Sequence, residues 1–247
     1  MIPTRTFRTA MLLGEEAIRT LRQSKVIVFG AGGVGGYAIE GLARAGVGTI
    51  AVVDPDRIAE SNLNRQILAT VQTVGMLKTE AAKARILSVN PDAAIECYPL
   101  FYMPDTADTV DLKRYDYIID AIDTVTAKIE LAVRATEAGI PILSCMGTGN
   151  KTDPSRLKIA DLSKTSVCPL ARVMRKELNL RGIRHLSVVY SDESPLTPAN
   201  RRRENGRAVP GSLVTVPAVA GMLIASRVIS DLIEAAPCRH REEVGKE

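Results

Sequence analysis

The stretch that most constrains this chain runs from Lys25 to Gly36 and reads KVIVFGAGGVGG. Four apolar residues, Val26 to Phe29, lead into a glycine-rich turn, and an apolar segment from Tyr37 to Ala45 follows. This pattern predicts a buried strand, a tight turn and the start of a helix. Glycines let backbone N–H groups approach a phosphate at the positive end of a helix dipole, so the turn favours a nucleotide ligand. A tight connection without any ligand is the alternative.

A second signal for a nucleotide comes from an acidic residue farther along the chain. Asp54 closes the next predicted strand, Thr49 to Val53, about 20 residues beyond the turn, where a carboxylate would hold ribose hydroxyls. The candidate nucleotide-binding glycines of the turn are Gly30, Gly32, Gly33 and Gly35.

The composition is that of an ordinary globular protein. At 247 residues the chain can bury a large core, as one extended domain or as one domain with an appendage. Its formal net charge of +4 is too small to establish a nucleic-acid partner. The four cysteines form no CxxC pair, so neither a paired-cysteine zinc site nor a disulfide framework is indicated. The N-terminus has no apolar signal segment, so we expect a cytoplasmic protein that is not bound to a membrane.

Strand and helix patterns alternate along the chain, which predicts an α/β fold with a doubly wound, Rossmann-like, mostly parallel sheet and a C-terminal extension. The predicted strands are 26–29, 49–53, 95–98, 115–120, 141–145, 156–160 and 186–190. The predicted helices are 4–23, 37–45, 75–89, 127–138, 169–180 and 214–233. The last helix is very apolar, but Pro217, Arg227 and Asp231 interrupt it, so we interpret it as a buried helix that starts near Pro217. Residues 191–211, rich in proline and arginine, are predicted to form a long mobile loop.

Polar side chains gather where predicted strands end. The stretch from Asp54 to Gln66 can bind phosphate and sugar, and Lys78 falls in the first turn of the helix that follows. Asp120 and Asp123 come at the end of another buried strand. One carboxylate there could simply cap the next helix. Two carboxylates beside a phosphate site indicate a magnesium ion.

The chain has no GxxxxGK[ST] phosphate loop, so side chains from elsewhere would have to neutralise the phosphates of ATP. In this respect it resembles the ATP-dependent adenylating superfamily of ThiF, MoeB and HesA, which shares its domain with ubiquitin-activating enzymes. A nicotinamide oxidoreductase would have no reason to carry Arg65 and Lys78 at these distances from the glycine turn. The residues that carry the resemblance are GAGGVG, Asp54, Asn62 to Gln66, Val74 to Lys78, and Asp120 to Asp123.

The resemblance implies a role for each matching residue, with ATP and Mg²⁺ as cofactors. Asp54 and Asp56 would bind the ribose, and Asp123 would bind magnesium. The triphosphate would be gripped by Asn62, Arg65, Gln66 and Lys78, and Asp120 and Ala121 would complete the nucleotide site. Arg8 matches an N-terminal arginine that enters the phosphate site of the neighbouring subunit, which implies a homodimer. The implied catalytic residues are Arg8, Arg65, Lys78 and Asp123. A structural monovalent cation is left open.

The second half of the chain resembles the tRNA threonylcarbamoyladenosine dehydratases of that superfamily, through residues 147–154, 165–170 and 172–178. The implied reaction adenylates the carboxylate of a modified adenosine beside the anticodon of tRNA and releases pyrophosphate. A group of the same nucleoside then closes a ring and expels AMP. Such a reaction needs alignment and charge neutralisation more than a protein nucleophile.

Two other functional classes stay open. An activator of a ubiquitin-like sulfur-carrier protein is disfavoured by the absence of CxxC pairs, and a nucleotide-binding module would lack chemistry altogether. We expect a single adenylating domain over residues 1–247, with an N-terminal helical arm at 1–23. Residues 24–146 would form the nucleotide-binding core, and 147–247 the half that faces the tRNA.

Basic residues of the second half would form a surface for tRNA phosphates. A solvated helix and loop is the alternative. The candidate residues are Arg172, Arg175, Lys176, Arg201, Arg202, Arg203 and Arg207. Cys168 precedes Pro169 at a predicted helix start, where a thiolate would be favoured. We interpret it as a packing residue, although relatives are linked to a cysteine-desulfurase sulfur system.

Overall fold

The computed structural model describes residues 3–200, 203–204 and 207–243. It contains seven α-helices within these ranges: α1 (Phe7–Leu13), α2 (Glu15–Gln23), α3 (Gly35–Ala45), α4 (Lys78–Val89), α5 (Val125–Ala138), α6 (Pro169–Asn179) and α7 (Thr215–Glu243). The strands of the described ranges are β1 (Lys25–Phe29), β2 (Thr49–Val53), β3 (Ala94–Tyr98), β4 (Tyr117–Asp120), β5 (Ile142–Cys145), β6 (Leu157–Asp161), β7 (Ser187–Ser191), β8 (Arg203–Glu204) and β9 (Arg207–Ala208).

Strands β1 to β7 form one sheet in the order β3-β2-β1-β4-β5-β7-β6. Every pairing is parallel except that of β6 with β7. In the central register Phe29 lies beside Val53 on one side and Asp120 on the other, so the carboxyl ends of β1, β2 and β4 meet at one edge. The predicted α/β, doubly wound fold is confirmed.

The sheet is buried on both faces, as the apolar runs of its central strands require. Side chains alternate along β1: Val26 and Val28 belong to one core, and Ile27 and Phe29 to another. The first core includes residues of α3, α4 and α7, whereas the second includes residues of α5. A third cluster packs α6 against α5 and β7. Helices therefore cover the sheet on both sides and leave the carboxyl edge of the strands accessible.

The predicted helix over residues 4–23 is wrong in its continuity. Gly14, with a φ of 85° and a ψ of 162°, separates α1 from α2. The predicted apolar stripe is divided at this point as well. Ile18 and Leu21 of α2 are fully buried, whereas Leu12 of α1 is 82% exposed. Because Gly14 is not helical, a 3.6-residue period cannot continue from α1 into α2.

Other boundaries shift by a few residues. Helix α4 begins at Lys78 rather than at Gly75, which has a φ of 89°, and β4 begins at Tyr117 rather than at Tyr115. The segment 191–211 contains the β8–β9 pair, which the sequence pattern did not predict. The mobility of this segment stays a prediction.

The apolar C-terminal helix packs into the core, as predicted. The stretch Thr215–Ala235 has the length and hydropathy of a membrane span. However, Val216, Ala220, Ile224, Val228 and Leu232 recur at helical spacing and are almost completely buried against the sheet and α3. This stripe is that of a core helix of a folded domain.

Candidate active site

A cavity of about 870 Å³ opens at the carboxyl ends of β1, β2, β4 and β5. Open parallel sheets bind their ligands at this edge. One wall comes from the glycine turn, the loop after β2 and the start of α4. Further lining comes from residues 145–151 at and after the end of β5, from the start of α6, and from Val209, Pro210 and Ser212. The cavity thus joins the predicted nucleotide core to the second half of the chain.

The glycine turn is held by close backbone packing. Gly30 has a φ of 89°, and a Cβ atom there would lie 2.6 Å from the carbonyl oxygen of Ala121. A Cβ on Gly35 would lie 1.7 Å from the carbonyl oxygen of Gly30. Both positions therefore exclude any side chain. Gly30, Gly32 and Gly33 line the cavity, whereas Gly35 lies behind them in the packing of the turn.

Asp54 connects the glycine turn to the loop after β2. Its side chain is almost fully buried, with Oδ2 accepting a hydrogen bond from the Ala31 N–H at 2.7 Å and Oδ1 accepting one from the Asp56 N–H at 2.9 Å. The buried Nζ of Lys78 lies 2.7 Å from Asp56 Oδ2 and 3.5 Å from Asp54 Oδ1. All three side chains line the cavity, so a cation and two carboxylates predicted from distant positions do lie together.

The stretch Asn62 to Gln66 has some side chains in the cavity lining and others that only support the loop. Arg65 lines the cavity, and its Nη1 donates to the Ser61 carbonyl at 3.0 Å and to Asn64 Oδ1 at 2.9 Å. Gln66 also lines the cavity, and among the described residues its buried Oε1 has no hydrogen-bond partner. A buried amide oxygen of this kind favours a donor from a ligand. Asn62 does not line the cavity, since its Oδ1 accepts from the Ala59 N–H at 3.0 Å and stabilises the loop.

Asp120 and Asp123 have different surroundings, so they do not form the carboxylate pair that suggested magnesium. Asp120 is fully buried, and its Oδ2 lies 2.8 Å from Lys128 Nζ and 2.5 Å from Ser144 Oγ. Asp123 is exposed and lines the cavity together with Ala121. Within the described ranges no group of three or more potential metal-ligating side chains occurs. A single accessible carboxylate still fits Mg²⁺ that is held mainly by phosphate oxygens and water.

Two buried lysines were missed by sequence reasoning. Lys128, in α5, donates to Asp120 and also to the Cys145 carbonyl at 2.8 Å. Lys151 follows β5, is 3% exposed and lines the cavity. Lysines are usually solvated, and the partners that hold these two side chains, Asp120 for Lys128 and the Ser191 and Glu193 carbonyls for Lys151, are not adjacent in the sequence. The only signal for Lys151 was its place in the family-like segment 147–154.

The residues of the predicted basic surface differ in their exposure, and their role in tRNA binding stays a prediction. Arg172, Lys176 and Arg203 are exposed. Arg175 instead turns back onto its own domain, where its guanidinium donates to the Leu162 carbonyl and to the carbonyl and Oγ1 of Thr165. Arg201 and Arg202 lie outside the described residues, as does the side chain of Arg207.

Arg8 lies away from the cavity of its own chain, whereas Cys145 and Cys168 line that cavity. Arg8 lies on α1, is exposed and does not line the cavity of its own chain. Cys168 is 3% exposed, lines the cavity and immediately precedes α6. Cys145 also lines the cavity, and burial raises the pKa of its thiol to about 12. A thiol with such a pKa stays protonated and unreactive at neutral pH.

The cations of the cavity come from the loop after β2, from α4 and from the segment after β5, rather than from a phosphate loop. The fold and the cavity therefore define a Rossmann-like nucleotide-binding protein of the adenylating class. The sequence model of the ThiF family matches residues 6–243, and the chain belongs to that family. The resemblance stated from the sequence motifs is confirmed.

Individual relatives are similar over nearly the whole chain. The tRNA threonylcarbamoyladenosine dehydratase of Bacillus subtilis is 40% identical over 238 residues, which is 92% of this chain and 94% of the relative. The structure of the Escherichia coli tRNA N6-threonylcarbamoyladenosine dehydratase TcdA in complex with AMP has a TM-score of 0.86 and 32% identity, covering 94% of this chain and 95% of that one. The same Escherichia coli enzyme in complex with ATP has a TM-score of 0.84, with the same identity and coverage.

Proposed function

We propose that this chain is an ATP-dependent tRNA threonylcarbamoyladenosine dehydratase. The observation that carries the proposal is that Asp54, Arg65 and Lys78 line the same cavity as residues 145–151 and the start of α6. These latter segments are the ones that resemble the dehydratases. The similarity over 92% of the chain to a relative of that name supports the same reaction.

In the proposed binding mode, ATP lies across the glycine turn. Asp54 and Asp56 accept hydrogen bonds from the ribose, while Arg65 and Lys78 neutralise the phosphates. The unpartnered amide oxygen of Gln66 accepts a hydrogen bond from the nucleotide. Asp123 would hold Mg²⁺, which would neutralise the charge that develops on the phosphates. Asp120 acts behind the cavity wall, where it holds the backbone of Ala121 to Asp123 in place.

The proposed reaction has two steps. A carboxylate oxygen of threonylcarbamoyladenosine attacks the α-phosphorus of ATP, a new P–O bond forms, and the bond to pyrophosphate breaks. A group of the same nucleoside then attacks the activated carboxyl carbon, gives up its proton and expels AMP. The net change in the nucleoside is the loss of one water. No enzyme nucleophile is needed, so alignment and charge neutralisation account for the catalysis.

We also propose a homodimer in which Arg8 enters the cavity of the partner. Helix α1 supports this arrangement because it has no buried residue and presents Phe7, Met11 and Leu12 at 59%, 73% and 82% exposure. Exposed large apolar side chains on one short helix favour burial against another chain. Arg8 lies on the same short helix, so burial of α1 would carry its guanidinium to the partner.

The proposed tRNA surface consists of Arg172, Lys176 and Arg203, extended by Arg201, Arg202 and Arg207. We place the enzyme in the cytoplasm, where its tRNA substrate would be found. A cysteine-desulfurase partner would have to reach Cys168 through the cavity, because that side chain is 3% exposed. Ring closure needs no thiol, so we assign Cys168 to packing.

The decisive experiment combines ATP turnover with mass analysis of nucleosides, using tRNA that carries threonylcarbamoyladenosine and unmodified tRNA. We expect loss of one water from the modified nucleoside only when enzyme and ATP are both present. Pyrophosphate release that depends on a protein ending in Gly-Gly, with no change in any nucleoside, would instead support the sulfur-carrier activator. ATP binding without any turnover would support the binding module.

A further inference from the structure

The glycine turn, the loop after β2 and the start of α4 form the part of the cavity lining that we call the nucleotide wall. Lys151 places a buried positive charge elsewhere in the lining of the same cavity. It follows β5 in the segment Gly147 to Pro154, and it is 3% exposed while lining the cavity. A buried lysine normally requires a partner of opposite charge. The contacts of its ammonium group therefore decide what it can bind.

The ammonium group of Lys151 has only neutral partners within the described part of the chain. Its Nζ donates to the backbone carbonyls of Ser191, at 3.1 Å, and of Glu193, at 2.7 Å. An ammonium group has three donors, so one remains for a ligand. The Glu193 carboxylate accepts from the N–H groups of Thr152, at 3.0 Å, and Asp153, at 3.1 Å, rather than from Lys151.

The other cavity lysine is already paired. Lys78 lies 2.7 Å from Asp56 and belongs to the nucleotide wall.

Burial lowers the pKa of the Lys151 ammonium group, against the opposing effect of nearby Cys168, Glu193 and Asp192. An anion that entered the cavity at this point would therefore stabilise the charged form of Lys151.

We propose that Lys151 binds the substrate carboxylate that is adenylated and holds it toward the nucleotide wall; this inference rests on the proposed function. The charge-assisted hydrogen bond leaves one carboxylate oxygen free to attack the α-phosphorus. Lys151 transfers no proton in this step, because the electron pair of the carboxylate forms the new P–O bond and the leaving electrons go to pyrophosphate. Lys151 is thus a substrate-binding residue that selects a free acid.

The test compares two ligands that differ only at this carboxylate, which is charged in one and an uncharged ester in the other. Anticodon stem-loop RNA carrying threonylcarbamoyladenosine and the same RNA with the carboxylate converted to its methyl ester are titrated against full-length protein. α,β-Methylene ATP is present in both titrations, so that the nucleotide site is filled and no adenylation occurs. We expect the wild-type protein to bind the acid about tenfold more tightly than the ester.

Substitutions then assign the preference to Lys151. Lys151→Met should bind acid and ester about equally, while Lys151→Arg should keep part of the preference because it keeps the charge. Lys113→Met, at an exposed position away from the cavity, is the matched control and should behave as wild type. A merely structural role would change the binding of both ligands alike.

Two outcomes would overturn the inference. A wild-type protein without any preference for the acid overturns it even if Lys151→Met does not fold. A Lys151→Met protein that keeps the full acid preference overturns it as well. Failure of the proposed function is a separate result: a wild-type protein that prefers the acid but never dehydrates the nucleoside would keep the carboxylate site and reject the dehydratase.

Discussion

The Nζ atom of Lys128 lies 2.8 Å from Oδ2 of Asp120, and both side chains are completely buried. The pair sits directly behind the cavity wall, because the next residues, Ala121 to Asp123, line the cavity. Lys128 also donates to the carbonyls of Ile122, at 3.3 Å, and Cys145, at 2.8 Å. One buried ammonium group therefore ties the ends of β4 and β5 together beneath the site.

Breaking this pair should destabilise the whole domain. Asp120→Asn leaves the Lys128 charge buried without a carboxylate, and such a change costs about 3–5 kcal/mol. We expect a decrease of that size in the free energy of unfolding, measured by urea denaturation. Asp105→Asn, at an exposed position, serves as the control. A change below about 1 kcal/mol for Asp120→Asn would show that the pair does not hold the site together.

Lys78→Ala should lower adenylation by about 100-fold or more while the protein stays folded, because removal of one preorganised charge at the phosphates has an effect of that order. Pyrophosphate release with modified tRNA measures the change. Lys83→Ala, an exposed lysine on the same helix, is the matched control and should keep full activity. Full activity in Lys78→Ala would remove this lysine from the proposed phosphate site.

The position of Arg8 predicts complementation between subunits. Arg8→Ala and Lys78→Ala should each be inactive alone, since each lacks one cation of every composite site. In a mixed dimer, the Arg8→Ala chain keeps Lys78 and receives Arg8 from its partner, which restores one site. Random mixing should therefore recover about a quarter of the wild-type activity. If the mixture is no more active than the single variants, Arg8 does not act across the dimer.

The exposed basic residues of α6, Arg172 and Lys176, and the inward-bonded Arg175 should give different defects when they are substituted. Arg172→Gln combined with Lys176→Gln should reduce the dependence of tRNA binding on salt by about two units of slope, because two phosphate contacts would be lost. Arg175→Gln should leave the slope unchanged and lower the melting temperature, since Arg175 binds Leu162 and Thr165. Filter binding at several salt concentrations and thermal melting separate the two. The opposite assignment would place Arg175 in the interface.

Sequence reasoning predicted those parts of the site that depend on local chemistry. The turn from Gly30 to Gly35 can be predicted from the sequence, because only glycine tolerates the backbone contacts that a phosphate-binding turn makes. The positions of Asp54 and Lys78 follow from strand and helix periodicity, which brings both to the same edge of a parallel sheet. The family motifs then indicated the reaction class.

Contacts between distant segments could not be predicted in this way. Arg172 and Arg175 have the same charge and lie on the same helix, yet Arg175 finds backbone acceptors in a preceding turn while Arg172 stays exposed. Asp120 pairs with a lysine of the next helix instead of joining Asp123, so a carboxylate pair in the sequence is not a pair in space.

The sequence by itself determined the doubly wound α/β fold, the glycine turn and the family. These depend on short-range sequence patterns and on residues, such as the glycines of the turn, that other residue types cannot replace. Only the tertiary structure decided which charges are buried and which face the cavity. Lys128 and Lys151 are both ordinary lysines in the sequence. Their burial depends on carbonyl groups that segments distant in sequence bring within hydrogen-bond distance. Lys128 donates to the Cys145 carbonyl, and Lys151 donates to the Ser191 and Glu193 carbonyls.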